Sequence, residues 1–286
     1  DSDILGTDED YRKLEEELRQ NIARTESSYP GYDEYRYDTD EINHNPYELA
    51  SYLTVLYEDY KREDAQVQET LKELFSEQYR LTRTSFSEGE KRILVTKLEN
   101  RGLGYVISQA EMTEEQRQRY SALLYTCGNR PDLFEDDIYA SYDSSGSDYQ
   151  VPSEALSDEK FAAVLKEAEK YLGYPYVWGG SNPSTSFDCS GYVCWVLNQS
   201  GFYSVGRTTA QGLYNQCAKI SADEAKPGDL VFFTGTYQAS HPVTHVGIYV
   251  GNGMMINAGK PIKYANVYSS YWKPHFYAFG RLPQSN

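Results

Sequence analysis

The residues best suited to do chemistry are a cysteine, a histidine and an asparagine in the second half of the chain. Cys189 directly follows Asp188 and precedes an apolar helical pattern over 192–196. An aspartate there caps a helix, and the unpaired N–H groups and dipole of the helix start favour a negative charge beside it. Because the thiolate is the nucleophilic form of cysteine, the sequence predicts a reactive Cys189. The alternative is a small side chain that fills the core under Trp178.

His245 begins a predicted strand in which alternate residues share one face, and Asn257 lies on the next predicted strand. The loop 251–253 decides whether they meet. An odd loop pairs Val250 with Met254 and places Asn257 diagonal to His245 on the same face. A two-residue Asn-Gly loop would put the two side chains on opposite faces. We expect the odd loop, with its last glycine in the left-handed conformation.

These three residue types can act as nucleophile, base and orienting group. Cys189 would attack a carbonyl, His245 would take up and return the proton, and Asn257 would accept a hydrogen bond from the other imidazole nitrogen. A neutral orienting group suffices if cysteine and histidine form a thiolate–imidazolium pair before substrate arrives. Each of these residues alone also fits a purely structural role. His245 could be a hydrogen-bonded histidine within a strand, and Asn257 could be an ordinary polar residue near a turn. Their joint spacing predicts acyl transfer to water.

Composition limits the class of protein. The 286 residues are 40% hydrophobic and 24% charged, which is typical of a soluble globular protein long enough for two domains. A formal charge of -16 without a basic cluster argues against nucleic acid and anionic lipid as partners. The four cysteines lack C-x-x-C spacing, so we expect neither a metal site nor a disulfide framework, and no cofactor. Few cysteines among 28 tyrosines suit an exported bacterial protein.

The chain has no apolar run near the ~20 residues that cross a bilayer. It begins with Asp1 rather than Met, so we expect a processed or truncated N-terminus, with any signal or anchor outside the sequence.

The first half predicts a small α+β domain over 1–137. Residues 1–44 are acidic and tyrosine-rich, and we interpret them as an arm rather than a part of the core. A helical hairpin (46–60 and 67–75), a β-hairpin (79–86 and 92–98), a short strand (105–107) and a helix opened by a capping box at Thr113 follow. Residues 138–156 form the predicted linker.

The second half, 157–286, predicts helices first and an antiparallel sheet second, so the fold class is α+β in both domains. The predicted helices cover 158–172, the stretch after Cys189, and 208–217. The predicted strands are 230–233, 245–250, 254–258 and 276–281.

Four ordered motifs in this half resemble those of the NlpC-type cell-wall peptidases, which are papain-like cysteine peptidases. They are Tyr176-Val177-Trp178-Gly179-Gly180, Phe187-Asp188-Cys189-Ser190-Gly191, Lys226-Pro227-Gly228-Asp229-Leu230 and His245-Val246-Gly247-Ile248-Tyr249-Val250. The resemblance implies hydrolysis of the bond between γ-linked D-glutamate and the diamino acid of a peptidoglycan stem peptide. The third catalytic residue of that family is often a second histidine, where this chain has Asn257.

The resemblance also implies a substrate-binding set. Tyr176 would lie beside the sulfur, with its hydroxyl near the substrate or the oxyanion, while the backbone N–H of Cys189 is the expected oxyanion donor. Asp188 is expected mainly to cap the helix and secondarily to hold a free amino end. Arg207 could pair with a stem-peptide carboxylate, or be an ordinary surface arginine. Ser190 and Trp178, from the same motifs, complete the set. His241 and His275 are interpreted as structural or solvated.

Over its whole length the chain resembles hydrolases of Gram-positive conjugative mobile elements, through motifs near Asn45-Pro46 and Gly128-Asn129. That implies an extracellular or cell-wall protein, or one anchored to the membrane, with the N-terminal domain docking on conjugation or secretion machinery. Glu48 and Glu73 lie on predicted helices but do not single out a glycosidase pair. Two alternatives stay open: an N-acetylmuramoyl-L-alanine amidase with the same site, and a non-catalytic wall-binding component.

Overall fold

The structure is a computed structural model, which describes residues 1–135, 137, 139 and 148–283. The chain divides into two compact units, Asp1–Ser141 and Tyr142–Asn286. Both contain helices and sheet, so the α+β prediction is confirmed. Residues 138 and 140–147 of the predicted linker lie outside the described residues.

The first unit packs helices around a small sheet. Its helices are α1 (Ser2–Ala23), α2 (Thr25–Ser28), α3 (Pro46–Tyr57), α4 (Ala65–Gln78), α5 (Leu103–Gln109) and α6 (Glu114–Thr126). Its strands are β1 (Glu34–Thr39), β2 (Tyr79–Glu88) and β3 (Lys91–Asn100). The strand order is β1-β3-β2, with β1 parallel and β2 antiparallel to β3.

Local signals place most of these elements. The side chain of Asn45 accepts from the backbone N–H of Tyr47 and begins α3, and Thr113 and Gln116 form the predicted capping box. The helical hairpin and the β-hairpin are confirmed. The short strand at 105–107 is wrong, because these residues belong to α5. Helical spacing lets Leu103, Val106 and Ile107 bury together in one core, which decides against a strand.

The prediction of an acidic N-terminal arm is also wrong. Residues 2–23 form α1, and Tyr11 on this helix is completely buried. The Tyr11 hydroxyl donates to Oε1 of Gln78 at 2.6 Å, so α1 is bonded to the end of α4. The buried face of α1 also carries Asp8 and Glu15, so an acidic helix becomes part of the core here because its inward carboxylates have buried partners.

A charged cluster that no motif indicated lies inside the first unit. His44 is fully buried, with Nε2 2.7 Å from Oδ1 of Asp8 and Nδ1 2.8 Å from Oε1 of Glu15. Burial alone would lower the pKa of His44, but the charges of Glu15 and Asp8 outweigh it and raise that pKa to about 9. The protonated imidazole therefore donates to both carboxylates and holds α1 against the segment that precedes α3.

The second unit packs helices against an antiparallel sheet. Its helices are α7 (Glu159–Glu169), α8 (Cys189–Gln199), α9 (Ala210–Gln216) and α10 (Trp272–His275). Its strands are β4 (Ser181–Asn182), β5 (Ser186–Phe187), β6 (Ala218–Ile220), β7 (Leu230–Phe233), β8 (His245–Gly251), β9 (Met254–Ala258), β10 (Ile262–Asn266) and β11 (Phe276–Arg281). The main sheet has the order β10-β9-β8-β7-β11-β6, and β4 pairs with β5 separately.

The core of this unit lies between the helices and the sheet. It contains Phe161 of α7, Val193 of α8 and Ile248 of β8, each fully buried. All four predicted strands are present, whereas β4, β5, β6 and β10 were not predicted. The later part of the predicted linker belongs to this unit, since the Tyr149 ring packs 5.3 Å from that of Tyr264. Among the described residues, no helix combines the length and the apolar character needed to span a membrane.

Candidate active site

The β8–β9 hairpin positions the histidine and the asparagine. Ile248 pairs with Ile256 and Tyr249 with Met255, which puts Asn257 and His245 on one face as predicted. The loop itself differs from the prediction. Asn252 and Gly253 both have positive φ (53° and 73°), as in a two-residue type I′ turn.

A β-bulge reconciles that turn with the register. Gly251, rather than Val250, pairs with Met254, and the ladder shifts between Tyr249 and Gly251. Gly251 has φ 91°, a conformation that side chains disfavour. The bulge supplies the extra residue that was expected in the loop. The side chains of His245 and Asn257 therefore lie on one face of the sheet, although the predicted pairing of Val250 with Met254 is wrong.

His245 and Asn257 are hydrogen-bonded. Nε2 of His245 lies 2.9 Å from Oδ1 of Asn257, and both residues are fully buried. Nδ2 of Asn257 donates to the backbone carbonyl of Lys263 at 3.2 Å, which fixes the amide orientation. Oδ1 must then accept from a protonated Nε2, and in the neutral ring this leaves Nδ1 as the proton acceptor.

The histidine is uncharged at neutral pH. Burial lowers the pKa of His245 to about 3, although its hydrogen bond to Asn257 acts in the opposite direction. Desolvation therefore disfavours the imidazolium half of the expected thiolate–imidazolium pair, which stays a prediction. His245 is suited to act as a neutral base.

Cys189 is the first residue of α8. Asp188 caps the helix, with Oδ1 accepting from the backbone N–H of Gly191 at 2.8 Å. A Cβ on Gly191 would lie 2.0 Å from the carbonyl oxygen of Gly180, so the 176–180 loop contacts the helix start directly. Cys189 is completely buried. Helix α8 packs against β8 and β9, which carry His245 and Asn257.

Tyr176 is a direct neighbour of the cysteine. The backbone N–H of Cys189 donates to the Tyr176 hydroxyl at 3.3 Å, so the expected oxyanion donor faces that hydroxyl. Trp178 is buried, and its ring packs 4.9 Å from Tyr176 and 5.3 Å from Tyr237. Trp178 therefore supports Tyr176 from the side of the 176–180 loop.

Asp188, Ser190 and Arg207 form one buried polar group. Nη2 of Arg207 donates to both carboxylate oxygens of Asp188, at 2.8 and 2.9 Å, and Nη1 donates to Oγ of Ser190 at 2.7 Å. The carboxylate also accepts from the N–H of Gly179 at 2.9 Å. Asp188 and Ser190 have no exposed surface, and the Arg207 side chain is 12% exposed.

These contacts give Arg207, Asp188 and Ser190 partners inside the protein, and their substrate-binding roles stay predictions. Arg207 is placed to neutralise Asp188. Asp188 holds both the helix start and this arginine. Ser190 bonds to the same pair. The capping role predicted for Asp188 is present.

Comparisons with known proteins agree with the motifs. Residues 173–281 match the NlpC/P60 family. The chain contains an NlpC/P60 domain. It is 49% identical over 138 residues to the bifunctional muramidase/DL-endopeptidase CwlT of Bacillus subtilis, covering 48% of this chain and 41% of that protein. It is 43% identical over 113 residues to the gamma-DL-glutamyl hydrolase of the same organism, covering 38% of this chain and 26% of that protein.

A crystal structure of an NLP/P60 family protein, similar to lipoprotein, from Staphylococcus aureus has 27% sequence identity and a TM-score of 0.43. That similarity covers 84% of this chain and 70% of the other. The chain spans less than half the length of the two curated relatives.

The other two histidines of the second unit have their own hydrogen-bond partners. Nε2 of His241 is 3.3 Å from the Tyr237 hydroxyl, and Nδ1 of His275 is 2.8 Å from the carbonyl oxygen of Thr234. Across the described part of the chain, no group of three or more His, Cys, Asp or Glu residues is arranged to hold a metal ion. Sequence reasoning missed Trp272, whose ring lies 4.8 Å from that of His245 in the NlpC/P60 domain.

Proposed function

We propose that the chain is a peptidoglycan endopeptidase that hydrolyses the γ-D-glutamyl–diamino acid bond of stem peptides through Cys189, His245 and Asn257. The observation that carries the proposal is the buried bond between His245 and Asn257 on strands against which the Cys189 helix packs. The names of the two curated relatives, a DL-endopeptidase and a gamma-DL-glutamyl hydrolase, support this substrate class.

In the proposed mechanism, Nδ1 of His245 takes the proton as the sulfur of Cys189 attacks the γ-carbonyl carbon. The tetrahedral intermediate collapses, the C–N bond breaks, and the imidazolium returns its proton to the departing amine. Water, deprotonated by His245, then hydrolyses the thioester, and the sulfur leaves with a proton from the imidazolium. Asn257 keeps Nε2 protonated and the ring in one orientation throughout.

The oxyanion would be stabilised by the backbone N–H of Cys189 and the hydroxyl of Tyr176. In the structure these two groups bond to each other. Because Cys189 is fully buried, a substrate carbonyl reaches the sulfur only when neighbouring side chains move. Displacing the Tyr176 hydroxyl from the N–H would release both donors for the oxyanion.

The test is mass analysis of the products from defined muropeptides. We expect fragments cut after γ-D-glutamate with the wild type and none with Cys189→Ala, at unchanged circular dichroism. Cys194→Ala is the matched control, because Cys194 is a buried cysteine on the same helix. Fragments cut between muramic acid and L-alanine would instead indicate an amidase, and wall binding without any cleavage would indicate a non-catalytic component.

We further propose that the protein acts outside the cell, at the wall, where it opens peptidoglycan locally for a conjugative transfer apparatus. This part is supported only by the resemblance of the whole chain to hydrolases of conjugative elements. The first unit would then dock on the transfer machinery. Cross-linking in donor cells tests it, and a normal transfer frequency with Cys189→Ala would contradict it.

A further inference from the structure

Strand β2 forms an open edge of the sheet in the first unit. It comes last in the order β1-β3-β2, and it pairs with β3 in one unbroken register from Tyr79 to Glu88. The last five residues of this strand are all exposed. Proteins usually blunt such an edge with a bulge or a proline, because its unpaired backbone groups bind other strands. The ladder of β2 has no bulge, and its sequence contains no proline.

The backbone groups on this edge belong to the odd-numbered residues of β2. On the neighbouring strand β3, the carbonyl oxygen of Arg92 accepts from the N–H of Asp33, on the side of β1, at 2.8 Å. The even-numbered residues of β3 therefore bond to β1, and its odd-numbered residues bond to the even-numbered residues of β2. The outward N–H and C=O groups, which have no hydrogen-bond partner among the described residues, are those of Leu81, Arg83, Ser85 and Ser87.

The strand is complementary to a second copy of itself. If two copies of β2 run antiparallel and are centred on Thr84, Arg80 of one copy lies opposite Glu88 of the other. Thr82 then lies opposite Phe86. Opposite charges, and an aromatic ring beside a β-branched residue, both stabilise antiparallel strand pairs. In this register odd-numbered residues meet odd-numbered residues, so each outward N–H faces an outward C=O.

The side chains that would pair are accessible. Phe86 is 44% exposed, and the Glu88 side chain is 61% exposed although it forms an ion pair with Arg36. Arg80 is exposed as well. The side chain of Arg83 lies on the other face of the sheet, where it donates to Oδ1 of Asn21 at 2.8 Å. Arg83 therefore does not repel a strand that approaches the open face.

The two adjacent registers are less favourable. A pairing centred on Arg83 would place two arginines directly opposite each other, and like charges in that position are destabilising. A pairing centred on Ser85 would leave Arg80 beyond the end of the partner strand, without Glu88. The charges of β2 thus select the pairing that is centred on Thr84.

We propose that the protein forms a symmetric homodimer in which two β2 strands pair antiparallel, centred on Thr84, and join the two three-stranded sheets into one. The pairing of two strand edges buries less than the ~1,600 Å² of a standard protein interface. We therefore expect a weak dimer, with a Kd that is roughly micromolar. The proposal does not depend on the proposed function, because neither test below uses a substrate.

Sedimentation equilibrium of the full chain tests the dimer. The mass of the wild type should rise from 32.7 kDa toward twice that value between roughly micromolar and millimolar concentrations. Arg80→Glu alone and Glu88→Arg alone should each raise Kd roughly tenfold to a hundredfold, because like charges then meet at both ends of the pairing. An equimolar mixture of the two variants should regain the wild-type Kd, because each reversed charge then faces an opposite charge.

The matched control is Glu90→Arg, the same charge reversal at an exposed residue of the turn that follows β2. Its Kd should equal that of the wild type. A wild type that stays monomeric at every concentration would overturn the proposal and leave the edge to a strand of another protein. A dimer that neither charge reversal weakens would also overturn it.

Disulfide trapping tests the register. Thr84 would lie opposite its own copy in a non-hydrogen-bonded pair, at a Cα separation of about 4.5 Å, which a disulfide can span. Thr84→Cys should therefore form a linked dimer under mild oxidation. Thr82→Cys, which faces Phe86, should not, and the wild type controls for the native cysteines. Linking of Thr82→Cys as fast as Thr84→Cys would contradict the register. If Glu88→Arg fails to fold without its bond to Arg36, Arg80→Glu and Thr84→Cys decide.

Discussion

Oδ1 of Asn257 accepts a hydrogen bond from Nε2 of His245 across the β8–β9 hairpin, at 2.9 Å and out of contact with solvent. The amide cannot turn around without losing its second bond, from Nδ2 to the carbonyl oxygen of Lys263. The asparagine therefore selects one neutral tautomer of the histidine. This selection leaves Nδ1 as the unprotonated ring nitrogen, which is the base in the reaction that we propose.

Asn257→Ala should lower kcat roughly tenfold to a hundredfold with a small change in KM, because the imidazole loses its tautomer and its fixed orientation. Steady-state kinetics on a defined muropeptide measure the effect. The matched control is Asn266→Ala, an exposed asparagine on the neighbouring strand β10. Wild-type kcat in Asn257→Ala would exclude an orienting role.

Tyr176→Phe should lower kcat roughly a hundredfold or more, which is the usual cost of losing one oxyanion donor. The reason is that the hydroxyl lies 3.3 Å from the backbone nitrogen of Cys189, where the two donors can converge on one oxygen. Single-turnover acylation rates measure the step directly. Tyr174→Phe, in the same segment, serves as the control. A rate that stays constant or increases would mean that the Tyr176 hydroxyl only obstructs the N–H.

The sequence was sufficient to predict features that depend on neighbouring residues. The period of two, with one odd residue between the strands, predicts that His245 and Asn257 share a face, although the odd residue lies in a bulge and not in the loop. The bulge at Gly251 was not predictable, because a run of glycine and asparagine permits several turns with the same final register. The catalytic roles of these residues stay predictions.

Contacts between distant parts of the chain were missed. Nothing near Arg207 in the sequence indicates that it neutralises Asp188, and no motif connects Trp272 with His245 or His44 with Asp8. These pairs form because folding buries one polar or aromatic group beside another. A sequence pattern reports the face on which a residue lies, whereas the partner across the core depends on how the elements pack.

Arg207→Ala should destabilise the second unit by roughly 3–5 kcal/mol, because it leaves the carboxylate of Asp188 buried without its cation. Arg207→Lys should restore little, since an ammonium group has one nitrogen and cannot hold Asp188 and Ser190 with two separate nitrogens as the guanidinium does. Urea unfolding measures both. In the double variant Asp188→Asn with Arg207→Met, the loss in free energy of unfolding should be smaller than in Arg207→Ala alone, because no unpaired carboxylate remains buried.

The same variants test whether Arg207 recognises substrate. We expect the ratio of kcat/KM for stem peptides with a free or an amidated α-carboxyl group on D-glutamate to be equal in wild type and in Arg207→Lys. A preference for the free carboxylate that disappears with the arginine would support the predicted pairing of Arg207 with a stem-peptide carboxylate.

His44 should make the stability of the first unit depend on pH. Its pKa is raised to about 9 in the folded chain, from about 6.5 in the unfolded chain, so folding favours the protonated form. The stabilisation is then fully present below about pH 6.5 and is lost as the pH rises through 9, a total of about 3 kcal/mol. Hydrogen exchange of the α1 amides in urea, measured from pH 6 to 10, follows the loss.

His44→Gln should be less stable by roughly 3–5 kcal/mol at pH 7, because Asp8 and Glu15 then lie buried without the imidazolium. Its stability should also vary less between pH 6.5 and 9. Cysteine thiols of the unfolded chain titrate near 8.5 in both proteins, so the difference between the two curves isolates His44. His241→Gln, in the second unit, should keep the wild-type slope. If the free energy of unfolding varies with pH in the same way in wild type and in His44→Gln, His44 is neutral in the folded chain. That result would contradict the charged cluster of His44, Asp8 and Glu15.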